Sequence, residues 1–287
     1  MAYTIEGAFN AYYEQINLNG DYRALAASRK EHLIGMLEQK LHVVAAFASG
    51  SIPKYTALSN HADLDIFVVL HFSLHCSGKS PSEVLTLVRE VLENKPSVRR
   101  NGQAVTLKYT TFPDVDVVPV FFTSYDGKRY EDSQYLSVPD MNTGAWIKST
   151  PELHSQLINN AAVERGSNFR RIIKMIKHWN HNHGDVLSSY HIEVLALNYL
   201  TGSLNDMPWA ILQFLTSMTE ALKTRLWHQQ GYVDDYLTPA KRAEEVERIS
   251  KATETARMAW YMGSINNNEL AINKWHQFFG AQFPTYG

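Results

Sequence analysis

Two patterns of apolar and polar residues recur along the chain, and before residue 150 the chain changes from one to the other several times. Spacings of three and four residues predict amphipathic helices, whereas short apolar runs bounded by turn residues predict strands. For this part the pattern predicts helices over 5–17 and 21–42, a strand at 43–48, a strand at about 64–72, a helix at 81–94, and strands at about 103–111 and 115–122.

Beyond residue 150 only the helical period recurs. It predicts helices over 151–163, 167–183, 188–201, 207–229 and 239–262, the first opening on a proline at a position where proline is favoured. We therefore predict an α/β (α+β) fold of two lobes: residues 1–150 form a mixed β-sheet lobe with helices, and residues 151–287 form a helical-bundle lobe. An active site is expected in the cleft between two such lobes.

Two aspartates stand at the start of the predicted strand at 64–72. Asp63 and Asp65 are two residues apart, so on a strand their side chains point to the same face. Adjacent carboxylates repel each other unless a cation lies between them. Mg²⁺ binds a few carboxylates together with substrate phosphates, so this pair predicts a metal site.

A third carboxylate is available at the beginning of the strand at 115–122. Asp116 lies within this strand, and Asp114 lies two residues earlier on the same face, so Asp114 is the alternative. Asp116 is favoured because Asp114 precedes the strand proper. Three carboxylates and two metal ions are typical of nucleotidyl transfer, and Asp116 can also accept the proton of the attacking hydroxyl.

A small turn follows the first predicted strand. Gly50 lets the backbone approach a phosphate, and the N–H groups of the turn and the hydroxyl of Ser51 can hold a triphosphate, with Lys54 nearby. By itself this sequence is more typical of a structural turn capped by serine. The downstream aspartates favour the phosphate-binding interpretation.

The helical half offers further polar candidates. Lys174 and Lys177 share a helix face and can reach phosphate oxygens, although exposed lysines more often lie on a solvated face. Ser189 and Tyr190 begin the next predicted helix, where serine is a common cap and tyrosine a packing residue. Ser189 can also contact phosphate, and Tyr190 can stack on a base.

The composition of the chain bears on the partners and the location that we expect for it. The 287 residues carry a net charge of −2, with 45% hydrophobic and 20% charged residues, which is ordinary for a soluble protein. A protein that binds long nucleic acid tightly is usually more basic. There is one cysteine, so no internal disulfide can form and a zinc–cysteine cluster is not expected. No run of about 18 apolar residues is present, and we expect a cytoplasmic protein without a membrane segment.

These motifs together resemble those of bacterial CD-NTases, the cGAS/DncV-like nucleotidyltransferases of anti-phage CBASS systems. Gly50-Ser51 followed by Asp63-Leu64-Asp65 is similar to the GS…DxD signature of polymerase-β-like nucleotidyltransferases, and Asp116-Val117-Val118-Pro119 is similar to the segment that carries their third acid. The segments 138–147 and 171–177 and the sequence Ser188-Ser189-Tyr190-His191 are similar to later parts of the bacterial enzymes.

The resemblance implies an enzyme that joins NTPs, most simply ATP or GTP, into a cyclic di- or trinucleotide and releases pyrophosphate. It implies catalysis by Asp63, Asp65 and Asp116 with two Mg²⁺ ions, Mn²⁺ being an alternative. It also implies nucleotide binding through Gly50, Ser51, Lys54, Lys177, Ser189 and Tyr190.

The resemblance also implies partners. The product would activate a CBASS effector, and in some such systems an E1-like ligase conjugates the synthase at its C-terminal residue, here Gly287. cGAS senses double-stranded DNA with a zinc-bound insertion, which one cysteine cannot build, so activation by double-stranded DNA is not expected.

Two alternatives stay open at this point. An RNA 3′-end nucleotidyltransferase of the CCA-adding or poly(A) type would carry the same carboxylates but should need a basic groove for RNA. A catalytically silent nucleotide-binding subunit should lack a metal ligand, and all three are present. The sequence does not define base choice, linkage, ring size, activating signal, effector type or oligomeric state.

Overall fold

The computed structural model describes residues 2–18, 20–59, 61, 63–93, 98–111, 113–122, 135–229 and 231–287, and over 98–101 only the backbone. Its helices are α1 (Ile5–Ile16), α2 (Gly20–Glu38), α3 (Pro81–Val91), α4 (Pro151–Arg165), α5 (Asn168–Asn182), α6 (Ser189–Tyr199), α7 (Met207–Ala221), α8 (Pro239–Ser264) and α9 (Asn268–Phe279), with a π-helical turn at Phe72–Cys76. Among the described helices, none combines the length and the apolarity needed to cross a bilayer.

The strands form one mixed sheet and one small hairpin. They are β1 (Val43–Ser49), β2 (Leu64–Leu70), β3 (Val98–Asn101), β4 (Ala104–Leu107), β5 (Val115–Phe122), β6 (Leu136–Asp140), β7 (Ala145–Ser149), β8 (Trp227–His228) and β9 (Gly231–Tyr232). The sheet has the order β1-β2-β5-β4-β3, and β6 pairs with both β5 and β7. Only β2 and β5 run parallel, whereas the other pairs are antiparallel.

Local signals account for most of these elements. Ser80 caps α3 in a capping box with Glu83, directly before Pro81 at the first helical position. β2 and β5 are long apolar runs, as expected for central strands buried on both faces. Their buried residues form the core of the sheet with residues of α2 and α3, among them Leu33, Leu37, Val84, Leu85 and Val88.

The predicted elements differ from the structure at several places. The helix predicted over 207–229 ends at Ala221, and the chain then forms the β8–β9 hairpin, so the prediction of helix over its last residues is wrong. β3, the β6–β7 hairpin and α9 were not predicted as elements. Distant contacts support two of them: the indole nitrogen of Trp146 in β7 donates to the carbonyl of Lys79 (3.3 Å), and Trp275 of α9 packs against Phe9.

The chain divides into two compact units, one of Leu18–Gln156 and one of Met1–Asn17 with Leu157–Gly287. α1 thus belongs with the C-terminal helices, although the predicted division at 150 placed it in the first lobe. Aromatic packing explains this, because Phe9 lies edge-on against Trp275 and Phe283, each with 5.1 Å between ring centroids. Tyr12 also hydrogen bonds to Nδ1 of His178 (2.7 Å). The domain boundary itself stays a prediction.

Candidate active site

Two of the three predicted acids lie side by side in the sheet. β2 and β5 pair in parallel with Asp65 directly opposite Asp116. Asp63 precedes Asp65 by two residues, at the entrance of the same strand. Because β2 and β5 are neighbours in this register, the sheet brings together carboxylates that are about fifty residues apart in the sequence.

The neighbouring strands β4 and β1 place further polar residues beside Asp116 and Asp65. Thr106 of β4 lies opposite Asp116 and donates its hydroxyl to Asp116 Oδ1 (2.5 Å). On the other side, Ser49 of β1 lies opposite Asp65. The hydrogen bond from Thr106 fixes one carboxylate oxygen of Asp116 and leaves the second for another partner. Sequence reasoning missed Thr106 because only the strand register shows that it faces Asp116.

The Gly50 turn passes directly over the carboxylate of Asp65. Gly50 has a φ of +76°, and a Cβ atom at this position would lie 1.8 Å from Asp65 Oδ2. Glycine is therefore required twice, for the left-handed backbone and for the close approach. The turn is closed by the N–H of Thr56, which donates to the carbonyl of Ser51 (3.0 Å). The predicted phosphate-binding turn and the predicted metal ligands thus form one site.

Lys54, the basic residue of this turn, is buried, with 7% of its surface exposed. Its positive charge is close enough to lower the pKa of Asp65. Lys54 therefore contributes to the electrostatics of the carboxylate cluster. Whether it also contacts a nucleotide stays a prediction.

The carboxylates strongly perturb one another. Burial, followed by the charges of Asp116 and Asp63, raises the pKa of Asp65 to about 7 against the opposing effect of Lys54. Burial also raises the pKa of Asp63, again with a contribution from Asp116. Negative charge is therefore concentrated here beyond what Lys54 compensates, which is the electrostatic condition for binding a cation.

Asp114, the alternative third acid, is engaged elsewhere. Lys108 donates to Asp114 Oδ2 (2.6 Å), and the backbone N–H of Tyr109 donates to Oδ1 (2.9 Å). Although burial raises its pKa, these two hydrogen bonds lower it more, so the net shift is downward. Arg29 supports the same turn by donating to the carbonyl of Pro113. These contacts give Asp114 a structural role and leave Asp116 as the acid beside Asp65.

The donor set fits a hard divalent cation. Within the described residues no group of three or more His, Cys, Asp or Glu side chains is arranged to hold a metal ion by itself. Mg²⁺ does not require one, because it usually retains water and binds one or two carboxylates together with substrate phosphates. Aligned carboxylates beside a turn suited to phosphate match that arrangement.

Lys177 is buried in the helical unit and does not lie on a solvated helix face. Its ammonium donates to Glu193 Oε1 of α6 (2.5 Å), and the two side chains are only 4% and 1% exposed. In this structure the charge of Lys177 is thus compensated inside the α5–α6 interface. Its predicted contact with a triphosphate stays untested.

Ser189 and Tyr190 are both exposed in the first turn of α6. Ser188 caps this helix by accepting from the N–H of His191 (3.2 Å). Burial, followed by the charge of Glu193, raises the pKa of Tyr190 to about 12, so its phenol stays protonated. Its ring lies edge-on to His228, with 6.0 Å between centroids. A hydroxyl and an aromatic ring are therefore presented at a helix N-terminus, and their contact with a nucleotide stays a prediction.

Comparison with known proteins places these features in a family. The family described as "Second Messenger Oligonucleotide or Dinucleotide Synthetase domain" matches residues 3–161, which include the turn and all three aspartates. A probable cyclic nucleotide synthase of Bacillus cereus (strain VD146) is 29% identical over 203 residues. That match covers 67% of this chain and 58% of the Bacillus protein.

Solved structures share the fold. CdnC of E. coli MS115-1, solved with ATP, has a TM-score of 0.77 at 18% identity over 98% of this chain and 99% of its own. The cyclic AMP-GMP synthase DncV of Vibrio cholerae, solved with the linear intermediate pppA(3′,5′)pG, has a TM-score of 0.66 at 16% identity over 84% of this chain and 70% of its own. At such identities the likeness shows the fold, a mixed sheet with a helical part. Because the family match covers more than half of the sequence, this chain belongs to the family of second messenger oligonucleotide or dinucleotide synthetases.

Proposed function

We propose that this protein is a Mg²⁺-dependent nucleotidyltransferase that joins NTPs into a cyclic di- or trinucleotide and releases pyrophosphate. The observation that carries the proposal is the alignment of Asp65 with Asp116 on parallel strands, under the Gly50 turn and two residues after Asp63. Family membership supports a second messenger as the product.

Asp63, Asp65 and Asp116 would hold the metal ions. When bound, Mg²⁺ supplies charge neutralisation for the leaving pyrophosphate and lowers the pKa of the attacking ribose hydroxyl. The raised pKa values of Asp65 and Asp63 support this assignment, because a bound cation would offset the burial and the repulsion that raise them.

The chain itself would bind the donor nucleotide and remove a proton. The backbone of Gly50 and the hydroxyl of Ser51 would contact the triphosphate. Asp116 has one oxygen occupied by Thr106, and its second oxygen would accept the proton of the attacking ribose hydroxyl. A second transfer by the same groups would close the ring, after the linear intermediate has reoriented.

The related structures support NTPs as substrates. E. coli CdnC was solved with ATP and Bradyrhizobium diazoefficiens CdnG with GTP. The net charge of −2 does not favour a long RNA substrate. We propose ATP or GTP as substrates, a role in anti-phage defence in the cytoplasm, and an effector that responds to the product.

Protein partners of this chain are proposed only from its similarity to related proteins. E. coli CdnC was solved in a complex with HORMA-deltaN, and by this similarity we propose a protein partner for this chain as well. Conjugation of Gly287 by an E1-like ligase also stays a proposal, and mass spectrometry of the C-terminal peptide from cells with the neighbouring genes would test it.

The experiment is incubation with radiolabelled NTPs in all pairings, with Mg²⁺ or Mn²⁺ and without RNA. We expect a phosphatase-resistant product whose linkage is then mapped with nucleases. Labelled product only after addition of tRNA or oligo(A) would identify an RNA 3′-end enzyme, and nucleotide binding without product in every pairing would identify a silent subunit.

Matched variants connect this activity to the site. The double variant Asp63→Asn, Asp65→Asn should abolish product while the protein stays folded. Asp114→Asn should retain product, because Asp114 binds Lys108 and Tyr109 rather than the cluster. Unfolding temperatures of all variants show whether a loss of product is a loss of fold, and cyclic product from the double variant would refute the assignment.

A further inference from the structure

The start of α6 is held by a segment distant in sequence. This segment, here called the hairpin segment, comprises residues 223–229 and 231–238 and contains β8 and β9. It contacts α6 at two points: His228 lies against the ring of Tyr190, and Tyr236 lies against His191. The residues proposed to contact a nucleotide are thus flanked by a second element.

The hydroxyl of Tyr236 forms the closer of these contacts. It accepts a hydrogen bond from the backbone N–H of Ser188 (2.8 Å) and lies 2.9 Å from Nδ1 of His191. The N–H of His191 in turn donates to the hydroxyl of Ser188. Ser188, His191 and Tyr236 therefore form a closed ring of hydrogen bonds around the first turn of α6.

The surroundings of His191 and Tyr236 determine the protonation states of these two side chains. His191 is 1% exposed, and burial lowers its pKa to about 4 although Asp234 opposes the shift. Burial raises the pKa of Tyr236, so the phenol keeps its proton. The N–H of Ser188 donates to the hydroxyl of Tyr236, and in the Nε2–H tautomer of the neutral imidazole this hydroxyl donates in turn to Nδ1 of His191.

The backbone on both sides of Tyr236 is anchored. Asp234 is fully buried and accepts from Arg242 of α8, while its carbonyl accepts from the N–H of Leu237 (3.0 Å). Two residues after Tyr236, Thr238 caps α8 by accepting from Lys241. Tyr236 therefore lies between an ion-paired turn and a helix start, and its hydroxyl joins both to the beginning of α6.

We propose that Tyr236 is a positioning residue for nucleotide binding, which orients Ser189 and Tyr190 by holding the backbone of Ser188. This inference rests on the proposed function, because it takes Ser189 and Tyr190 as nucleotide contacts. Ser188 directly precedes both residues, so its peptide determines where the Ser189 hydroxyl and the Tyr190 ring point. An exposed first turn without this bond would sample other orientations and bind a nucleotide less well.

The test is the variant Tyr236→Phe, which removes only the hydroxyl. The side chain is 44% exposed, so the substitution leaves no internal cavity. We expect the dissociation constant for Mg²⁺ and a non-hydrolysable ATP analogue to rise about fivefold, as for the loss of one hydrogen bond, with little change in unfolding temperature. Tyr232→Phe is the matched control, because the contacts described for Tyr232 involve its ring, which faces Trp227 and Arg225.

A double variant separates positioning from general stability. In a Ser189→Ala background, Tyr236→Phe should raise the dissociation constant by a smaller factor than in the wild type, since part of its effect passes through Ser189. Equal affinity of wild type and Tyr236→Phe, or fully additive effects, would overturn the inference. If the wild type itself bound no ATP analogue, the proposed function would fail and this inference with it.

Discussion

Replacing Asp65 by asparagine should stabilise the metal-free protein while it abolishes activity. The partly buried carboxylate of Asp65 interacts with the charges of Asp116 and Asp63, and its pKa is about 7 instead of the usual 3.8. One pKa unit corresponds to about 1.4 kcal/mol, so charging this group costs at most about 4 kcal/mol. Water at the partly exposed side chain screens the repulsion, and we expect a gain of about 2 kcal/mol in the free energy of unfolding.

The pH dependence follows from the direction of the shift. A raised pKa means that the folded protein binds the Asp65 proton more tightly than the unfolded chain does. The wild type therefore loses stability as pH rises from about 4 through 7, and an asparagine at this position does not. The advantage of Asp65→Asn should therefore be clearly smaller at pH 5 than above pH 8, where it is largest.

Urea unfolding with EDTA at pH 5 and pH 8.5 measures this difference. Asp114→Asn provides a control of opposite sign, because the pKa of Asp114 is lowered and its loss should destabilise the protein at the higher pH. An Asp65→Asn variant that is less stable than the wild type at pH 8.5 would refute the reasoning. A gain that is the same at both pH values would also do so, because it would not arise from relieved repulsion.

The other predictions concern ligand binding, the Gly50 turn and the Lys177–Glu193 ion pair. Mg²⁺ with an ATP analogue should raise the unfolding temperature of the wild type but not of Asp65→Asn, which differential scanning fluorimetry can measure. Gly50→Ala should lose at least 100-fold in activity, because its Cβ would meet Asp65. Gly78 is the control, because it has a similar φ of +72° but open space around it. Gly78→Ala should therefore lose only about 1 kcal/mol of stability and no activity. Lys177→Met should cost about 3–5 kcal/mol by leaving Glu193 buried without its partner, and Glu193→Leu added to it should recover most of this loss in urea unfolding. A Lys177→Met variant as stable as the wild type would contradict the importance of this pair.

The local pattern of the chain was sufficient to find the carboxylate site. Period-two spacing placed Asp63 and Asp65 on one strand face, and the apolar runs after Asp65 and Asp116 marked both strands as central. The Gly50 turn was assigned to phosphate binding because the aspartates shortly after it favoured that interpretation over a structural turn. Such features depend on residues close together in the sequence, which is why the sequence alone can specify them.

Other features depended on which distant segments pack together. The strand register brought Thr106 to Asp116, and the hairpin segment, part of which was predicted as helix, brought Tyr236 to Ser188. Lys177 looked like a surface lysine by spacing, yet it pairs with Glu193 inside the protein. The sequence by itself determined which chemistry this chain carries, because catalytic residue types lie at local spacings. Only the tertiary structure decided how each group is held, because burial and pairing between distant residues set the direction, charge and pKa of every side chain.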